Sequence, residues 1–150
     1  MGEQILAHEG TLERFTGDGM MIFFNDPVEI PEPEYRAIRL ALAMRDTSDG
    51  LRQHWEREGW DLGFGVGIDC GYATLGLIGF EGRFDYAAIG NVTNLAARLC
   101  AEAADRQILA SGPFLGRVEH RVRSRPVGEL DLKGIDRPVS THDILGLVDG

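Results

Sequence analysis

The segment 62–68 constrains the fold strongly, because large apolar residues alternate with glycines along it. The large residues are Leu62, Phe64, Val66 and Ile68, and the glycines between them are Gly63, Gly65 and Gly67. In a β-strand this period of two places every large side chain on one face and leaves the other face bare. A bare face is typical of a strand that another backbone or a ligand approaches closely. Glycine makes up 20 of the 150 residues, nearly twice the usual ~7%.

Helix and hairpin signals alternate along the remainder of the chain. The expected elements, each inferred from its hydrophobic period, are strands at 11–15 and 20–24, a helix at 34–58, a hairpin of 62–68 with 71–78, a strand at 84–89, a helix at 92–101, a strand at 107–110, and strands after His120 that break at 126–128 and 134–138. The Asp18-Gly19 pair is typical of a hairpin turn, and Ser111 is suited to cap a short helix. The predicted class is α+β with a largely antiparallel sheet.

Charge and composition disfavour several classes of protein. The chain has 15 Lys and Arg against 24 Asp and Glu, a net charge of −9, so we expect neither a general nucleic-acid binder nor contact with a membrane surface. A length of 150 residues with 43% hydrophobic residues predicts one globular domain over residues 1–150. No signal peptide or membrane span is expected. Cys70 and Cys100 are expected to be reduced thiols, which favours a cytoplasmic location.

Asp18 lies at the predicted apex of the first hairpin. An aspartate in an isolated tight turn most commonly satisfies its own backbone. A carboxylate held on a rigid apex also suits a hard cation such as Mg²⁺ that bridges substrate phosphates. Both interpretations of Asp18 stay open at this point.

Asn94 and Arg98 share one face of the second predicted helix, because they lie four residues apart. Such a pair is most often a solvated surface. This helix begins directly after Gly90, however, and the N-terminus of a helix attracts anions through its free amides and its dipole. An arginine there is suited to hold phosphate oxygens, and an asparagine to orient a sugar. Lys133 offers a further positive charge, or is simply a surface lysine at a strand end.

Three segments together resemble the catalytic domains of class III adenylate and guanylate cyclases. Residues 12–24, LERFTGDGMMIFF, resemble the first hairpin of that family. Residues 83–99, RFDYAAIGNVTNLAARL, resemble its most specific signature. Residues 128–134, GELDLKG, with RPV at 137–139, resemble its C-terminal strands. The resemblance extends over residues 9–144 in the order of the family.

The resemblance implies a ferredoxin-like α+β domain with substrate sites at a head-to-tail interface, in a homodimer or in a pair with another cyclase domain. The family converts a nucleoside triphosphate into a 3′,5′-cyclic monophosphate and pyrophosphate, with two metal ions, Mg²⁺ or Mn²⁺, in each complete site. By position, Asp18 matches one of two metal-binding aspartates. Asn94 matches the residue that orients the ribose, and Arg98 the one that stabilises charge on the reacting phosphate. Lys133 falls near a lysine that contacts the terminal phosphates.

Three departures from the family pattern bear on activity. The family's domain begins with a strand that carries the first metal aspartate and continues with two helices, whereas residues 1–10 already resemble the end of the second helix. We therefore expect a domain that is incomplete at its N-terminus, in which Asp18 alone is too little to hold two dications. Arg14 replaces the usual base-selecting lysine, and Ala87 stands where typical adenylyl cyclases have Asp or Thr. Purine selection is therefore expected to be relaxed.

Two functions from different classes follow. The first is a nucleotidyl cyclase of signal transduction that acts on ATP first and on GTP as the alternative. The second is a degenerate cyclase-homology domain that only dimerises or regulates a partner. Asp18, Asn94 and Arg98 favour the enzyme, whereas Arg14, Ala87 and the missing N-terminal strand favour the degenerate domain. In either case, association is expected to use the glycine-lined strand face and the hairpin around Asp18.

Overall fold

A computed structural model describes residues 1–148. Within that range the chain forms four α-helices, a short 3₁₀-helix and eight β-strands. The helices are α1 (Gly2–Ala7), α2 (Pro33–Arg57), α3 (Asn91–Glu102) and α4 (Gly112–Val118), and the 3₁₀-helix is Glu119–Arg121. The strands are β1 (Thr11–Thr16), β2 (Gly19–Phe23), β3 (Val66–Ile68), β4 (Thr74–Phe80), β5 (Arg83–Ile89), β6 (Ile108–Ser111), β7 (Val122–Leu130) and β8 (Val139–Leu147).

The strands form three separate sheets. The central sheet has the strand order β3-β6-β8-β7, in which β3 and β6 run parallel and the other neighbours antiparallel. β1 pairs with β2, and β4 pairs with β5, each as an antiparallel hairpin. The predicted α+β class with a mostly antiparallel sheet is confirmed.

The central sheet carries helices on both faces, because its side chains alternate between them. In β6, Ile108 and Ala110 are buried in a cluster with Ile38 of α2. Leu109, between them, is buried in a different cluster with Leu99 of α3. A strand covered on both faces and paired on both edges is buried along its length, and all four residues of β6 are buried.

Gly67 in β3 is the point where the backbone of α3 meets the sheet. A methyl group at Gly67 would lie 2.2 Å from the carbonyl oxygen of Ala96 and 2.2 Å from the amide nitrogen of Cys100. Both distances are far inside van der Waals contact, so only glycine allows α3 to lie at this depth. The predicted close approach of another backbone is confirmed, and that backbone is the chain's own. The expectation that a partner covers this face is therefore wrong.

The predicted hairpin of 62–68 with 71–78 is also wrong. β3 pairs with β6, and β4 pairs instead with β5. The turn between β4 and β5 consists of Glu81 and Gly82, and Gly82 has a φ of +87°. A two-residue connection with glycine in this region brings the flanking strands together directly, so β4 takes its nearest neighbour in the sequence.

β3 is shorter than the apolar alternation predicts, because residues 62–65 are irregular and do not pair with β6. Asp105 stabilises this irregular segment. Its carboxylate accepts hydrogen bonds from the guanidinium of Arg52 and, at 2.9 Å, from the backbone amide of Phe64. Arg52 first, and then the Phe64 amide, favour the charged carboxylate and hold the pKa of Asp105 below its ordinary value.

Local signals in the second half of the chain are mostly confirmed. The Oγ of Ser111 accepts a hydrogen bond from the backbone amide of Phe114 at 3.3 Å, so Ser111 caps α4 as predicted. β7 continues across Pro126 with a register shift, where the sequence predicts a break. In residues 1–148, no helix combines the length and the apolar character that crossing a bilayer requires.

Two glycine-to-alanine substitutions test the packing of α3. Gly67→Ala is expected to destabilise the fold by about 3 kcal/mol or more, because its methyl group would displace the α3 backbone. Gly50→Ala is the matched control, since Gly50 lies in α2 with no atom within 4 Å of the added methyl group. It is expected to stabilise the fold by about 0.5–1 kcal/mol. Urea unfolding measures both, and equal effects would contradict the described contact.

Candidate functional site

The β1–β2 hairpin presents Asp18 at its tip. Gly17 has a φ of +60°, the left-handed conformation that glycine adopts without strain in a two-residue turn. Asp18 is exposed, and it lines a cavity of 670 Å³ between the hairpin, β3 and the helices α2 and α3. Burial raises the pKa of the Cys100 thiol in α3, and the nearby Asp18 carboxylate adds to that rise. The predicted apex position of Asp18 is confirmed.

Helix α3 presents Asn94 and Arg98 to solvent. Both side chains are exposed, whereas Leu99 is fully buried and fixes the rotation of the helix. The helix begins after Gly90, whose carbonyl accepts a hydrogen bond from the Thr93 hydroxyl at 2.8 Å. Asn94 and Arg98 therefore lie on one accessible face, a single turn apart, and are free to meet a ligand from outside this chain.

Arg14 and Ala87 lie on different hairpins. Arg14 is exposed on β1 beside an irregularity in the β1–β2 register, and its Nε lies 3.6 Å from Oε1 of Glu13. Glu13 points inward, and its side chain is only 3% exposed. Ala87 is half-buried on β5, opposite Gly76 of β4.

The predicted site residues do not form one pocket within this chain. Lys133 is exposed in the connection between β7 and β8. Two cavities, of 470 and 670 Å³, lie between the β1–β2 hairpin and the rest of the fold. Of the predicted residues only Asp18 lines either cavity, whereas Arg14, Ala87, Asn94, Arg98 and Lys133 do not.

Tyr86 is a contact residue that sequence analysis missed, although it directly precedes Ala87. Its hydroxyl donates a hydrogen bond to the carboxylate of Asp26, and its ring centroid lies 6.1 Å from that of Phe23. The bond to Asp26 raises the pKa of Tyr86. These contacts connect β5 to the end of β2 and to the loop that follows it. No local signal in the sequence reveals a contact between residues 60 positions apart.

Asp69 was missed as well, although it directly follows β3 and lines both cavities. Burial raises the pKa of Asp69, and a hydrogen bond of 2.5 Å from the Ser111 hydroxyl opposes that rise. A carboxylate at the end of an apolar strand is a signal that could have identified this position.

The metal-binding capacity of the chain rests on its carboxylates. Among residues 1–148, no group of three or more His, Cys, Asp or Glu side chains is arranged to hold a metal ion. Asp18 is therefore a single exposed ligand, and Mg²⁺ or Mn²⁺ needs several oxygen ligands in near-octahedral geometry. The residues present do not fit a pair of divalent cations.

Comparison with known proteins gives one consistent family. Residues 4–146 match the sequence model described as the adenylate and guanylate cyclase catalytic domain. Adenylate cyclase 1 of Rhizobium meliloti is 30% identical over 149 residues, which cover 97% of this chain and 22% of that protein. The chain thus spans about a quarter of the length of the curated relatives it matches.

Solved structures agree in fold. The adenylyl cyclase CyaB from P. aeruginosa superposes with a TM-score of 0.89 at 32% identity, covering 96% of this chain and 76% of that one. The guanylyl cyclase Cya2 superposes with a TM-score of 0.87 at 28% identity, covering 99% of this chain and 76% of that one.

Exposure predicts how substitutions on α3 affect stability. Asn94→Ala and Arg98→Ala are expected to change the free energy of unfolding by no more than about 0.5 kcal/mol, because neither side chain is buried. Leu99→Ala is expected to cost about 2–5 kcal/mol, because Leu99 is fully buried. Chemical denaturation measures all three. A large loss in either exposed variant would show that the residue serves the fold.

Proposed function

Because the chain belongs to the adenylate and guanylate cyclase catalytic-domain family, we propose that it acts as a nucleotidyl cyclase domain that converts ATP into 3′,5′-cyclic AMP and pyrophosphate. The observation that carries the proposal is the exposed pair Asn94 and Arg98 on one face of α3. The proposed location is the cytoplasm, since Cys70 and Cys100 are free thiols.

In this reaction the ribose 3′-oxygen loses its proton and attacks the α-phosphorus, and the bond to the pyrophosphate leaving group breaks. Arg98 would donate hydrogen bonds to oxygens of the reacting phosphate, where negative charge develops. Asn94 would hold the ribose so that its 3′-hydroxyl faces the phosphorus. Lys133 would attract the terminal phosphates as a point charge.

The metal-binding half of the site is the part that residues 1–148 do not complete. Two Mg²⁺ or Mn²⁺ ions would activate the hydroxyl and neutralise the triphosphate. Asp18 alone does not fit that pair, so a second carboxylate must come from another segment. The proposal therefore places Asn94 and Arg98 opposite a metal-binding surface on a second cyclase domain.

The second domain would pack on the β4–β5 hairpin. Leu77 and Phe84 share one face of this hairpin and are 71% and 59% exposed, and Phe80 and Ile89 on the opposite face are 71% and 57% exposed. Apolar side chains exposed on both faces of a two-stranded sheet are typical of a protein interface. The glycine-lined face is unsuited to this role, since α3 covers it.

Substitutions on the β4–β5 hairpin test this interface. The double variant Leu77→Asp, Phe84→Asp is expected to remain folded and to sediment as a monomer at concentrations where the wild-type chain associates. Leu6→Asp on α1 is the matched control, because Leu6 is 78% exposed outside the hairpin. Analytical ultracentrifugation measures the association of each variant. Dimerisation of the double variant equal to that of the control would contradict this interface.

ATP is the proposed substrate, with GTP as the alternative. Arg14 carries donors only, so it suits a purine carbonyl better than an amino group, and Ala87 offers neither a donor nor an acceptor. Discrimination between the purines is therefore expected to be weak. Competition between ATP and GTP in one cyclase assay measures it, and a strong preference for ATP would contradict weak discrimination.

A non-catalytic, regulatory domain is the second candidate function. The absence of a metal-binding group within residues 1–148 favours it, together with Ala87 and Arg14 at the base-selecting positions. An experiment can distinguish this candidate from the enzyme in one respect. Only the enzyme requires Arg98 for turnover.

Complementation in a mixed dimer tests the role of Arg98. The chain alone is expected to be inactive with Mg²⁺ or Mn²⁺. Mixed with an intact class III cyclase domain that carries its own metal ligands and has alanine at the position of Arg98, it is expected to restore activity, because that domain supplies the metal ligands. Arginines that stabilise phosphoryl-transfer charge contribute about 10³–10⁵ in rate, so the rescue should stand far above background.

Two variants of this chain serve as controls for the rescue. Arg98→Ala should abolish it, whereas Arg39→Ala, at an exposed position of α2, should leave it intact. A mixture that stays inactive although sedimentation demonstrates association would refute the catalytic role of Arg98 and favour the regulatory domain. Efficient turnover by the chain alone would refute the conclusion about its metal ligands.

A further inference from the structure

Asp69 lies in the segment between β3 and β4, and its carboxylate is bonded to the interior of the central sheet. Its Oδ1 accepts a hydrogen bond of 2.5 Å from the hydroxyl of Ser111, the last residue of β6. Ser111 is 1% exposed, pairs with Thr141 of β8, and accepts the α4 cap from the Phe114 amide. Ser111 is therefore held from several sides, and its hydroxyl gives Asp69 a fixed partner.

The segment 71–73, which follows Asp69 almost directly, lies against the start of α3. A methyl group at Gly90, the N-cap residue of α3, would lie 2.9 Å from the carbonyl oxygen of Tyr72 and 3.2 Å from the Cα of Ala73. Both distances are shorter than van der Waals contact, so the backbone of this segment approaches Gly90 as closely as glycine allows.

The first turn of α3 connects Gly90 to Asn94. The carbonyl of Gly90 accepts hydrogen bonds from the Thr93 hydroxyl at 2.8 Å and from the Thr93 amide at 3.2 Å, so this turn follows the position of Gly90. Asn94 comes next in the sequence and is exposed. The close contact of Gly67 with α3 lies farther along the helix, at residues 96–100. The first turn therefore depends on the segment 71–73 for its own support.

We propose that Asp69 is a positioning residue that holds the first turn of α3 so that Asn94 faces the ribose. The bond to Ser111 fixes Asp69, and the segment 71–73 carries that fixed position to Gly90. The inference rests on the proposed function, in which Asn94 orients the ribose, and in this role Asp69 touches no substrate atom. A misplacement of about 1 Å can cost on the order of 10²-fold in rate, so a small shift of this turn matters.

Backbone NMR of the chain alone tests the positioning without an assay of turnover. Asp69→Ala removes the acceptor of the Ser111 hydroxyl. The amide signals of Thr93 and Asn94 are expected to shift, and their order parameters to fall from about 0.85 toward about 0.6, whereas Leu99 retains both. Ser111→Ala removes the same hydrogen bond and takes the place of Asp69→Ala where that variant does not fold. Unchanged signals in the first turn, or equal changes at Leu99, would overturn the proposal.

Complementation measures the consequence for turnover. In the mixed dimer with the intact cyclase domain, Asp69→Ala in this chain is expected to lower kcat about tenfold or more and to change the KM for ATP less than about threefold, because ribose orientation acts in the transition state. Asp69→Asn keeps an oxygen acceptor for Ser111 and is expected to retain most of the rate. Gly71→Ala is the matched control, since its methyl group would lie at an ordinary 3.5 Å from the Cβ of Val92.

A double variant separates positioning from a merely structural role. In an Asn94→Ala background, Asp69→Ala is expected to lower the rate less than about twofold, because the side chain that Asp69 positions is already absent. An equal loss in both backgrounds, or no loss in either, would overturn the proposal. A wild-type chain that restores no activity would refute the proposed function instead, and the NMR comparison then decides the positioning by itself.

Discussion

The contact between the α3 backbone and Gly67 of β3 is the constraint on which the proposed site depends. Because no side chain separates helix from strand there, α3 lies against the sheet at a depth that any other residue would prevent. Leu99 then fixes the rotation of the helix by its burial. The helical period leaves Asn94 and Arg98 on the outer face, so Gly67 sets the depth of α3 and Leu99 its rotation, and together they place the two side chains proposed to bind nucleotide.

Electrostatics explains why this chain requires a second domain for the proposed reaction. The chain has a net charge of −9, and its proposed substrate is a polyanion. Arg98 and Lys133 supply local positive charge at exposed positions, but within residues 1–148 Asp18 belongs to no group of carboxylates that could hold two divalent cations. The exposed apolar residues of the β4–β5 hairpin offer the surface through which a domain with those ligands would associate.

Sequence reasoning succeeded where the signal is local and failed where strands pair over long distances. The turn at Asp18 and the cap at Ser111 were predicted because the residues that specify them are adjacent. The pairing of β3 with β6 was missed, because the paired residues lie about 40 positions apart in the sequence. The alternation of glycines in β3 indicates a close neighbour on one face of the strand, but it does not identify the strand that pairs with its edge. The family resemblance supplied the proposed roles of Asn94 and Arg98, and neither helical spacing nor exposure distinguishes them from an ordinary solvated surface. The burial of the Glu13 side chain was not predicted, because it depends on surroundings that only the fold creates.

The central claim is that Asn94 and Arg98 complete a nucleotide site whose metal-binding half belongs to another domain. A crystal structure of this chain bound to an intact cyclase domain, with Mg²⁺ and 3′-deoxy-ATP, measures that claim most directly. We predict that the Arg98 guanidinium lies about 2.7–2.9 Å from a phosphate oxygen, that Asn94 contacts the ribose, and that carboxylates of the other domain hold the metal ions. A nucleotide bound at that interface with Arg98 and Asn94 both in solvent would contradict it.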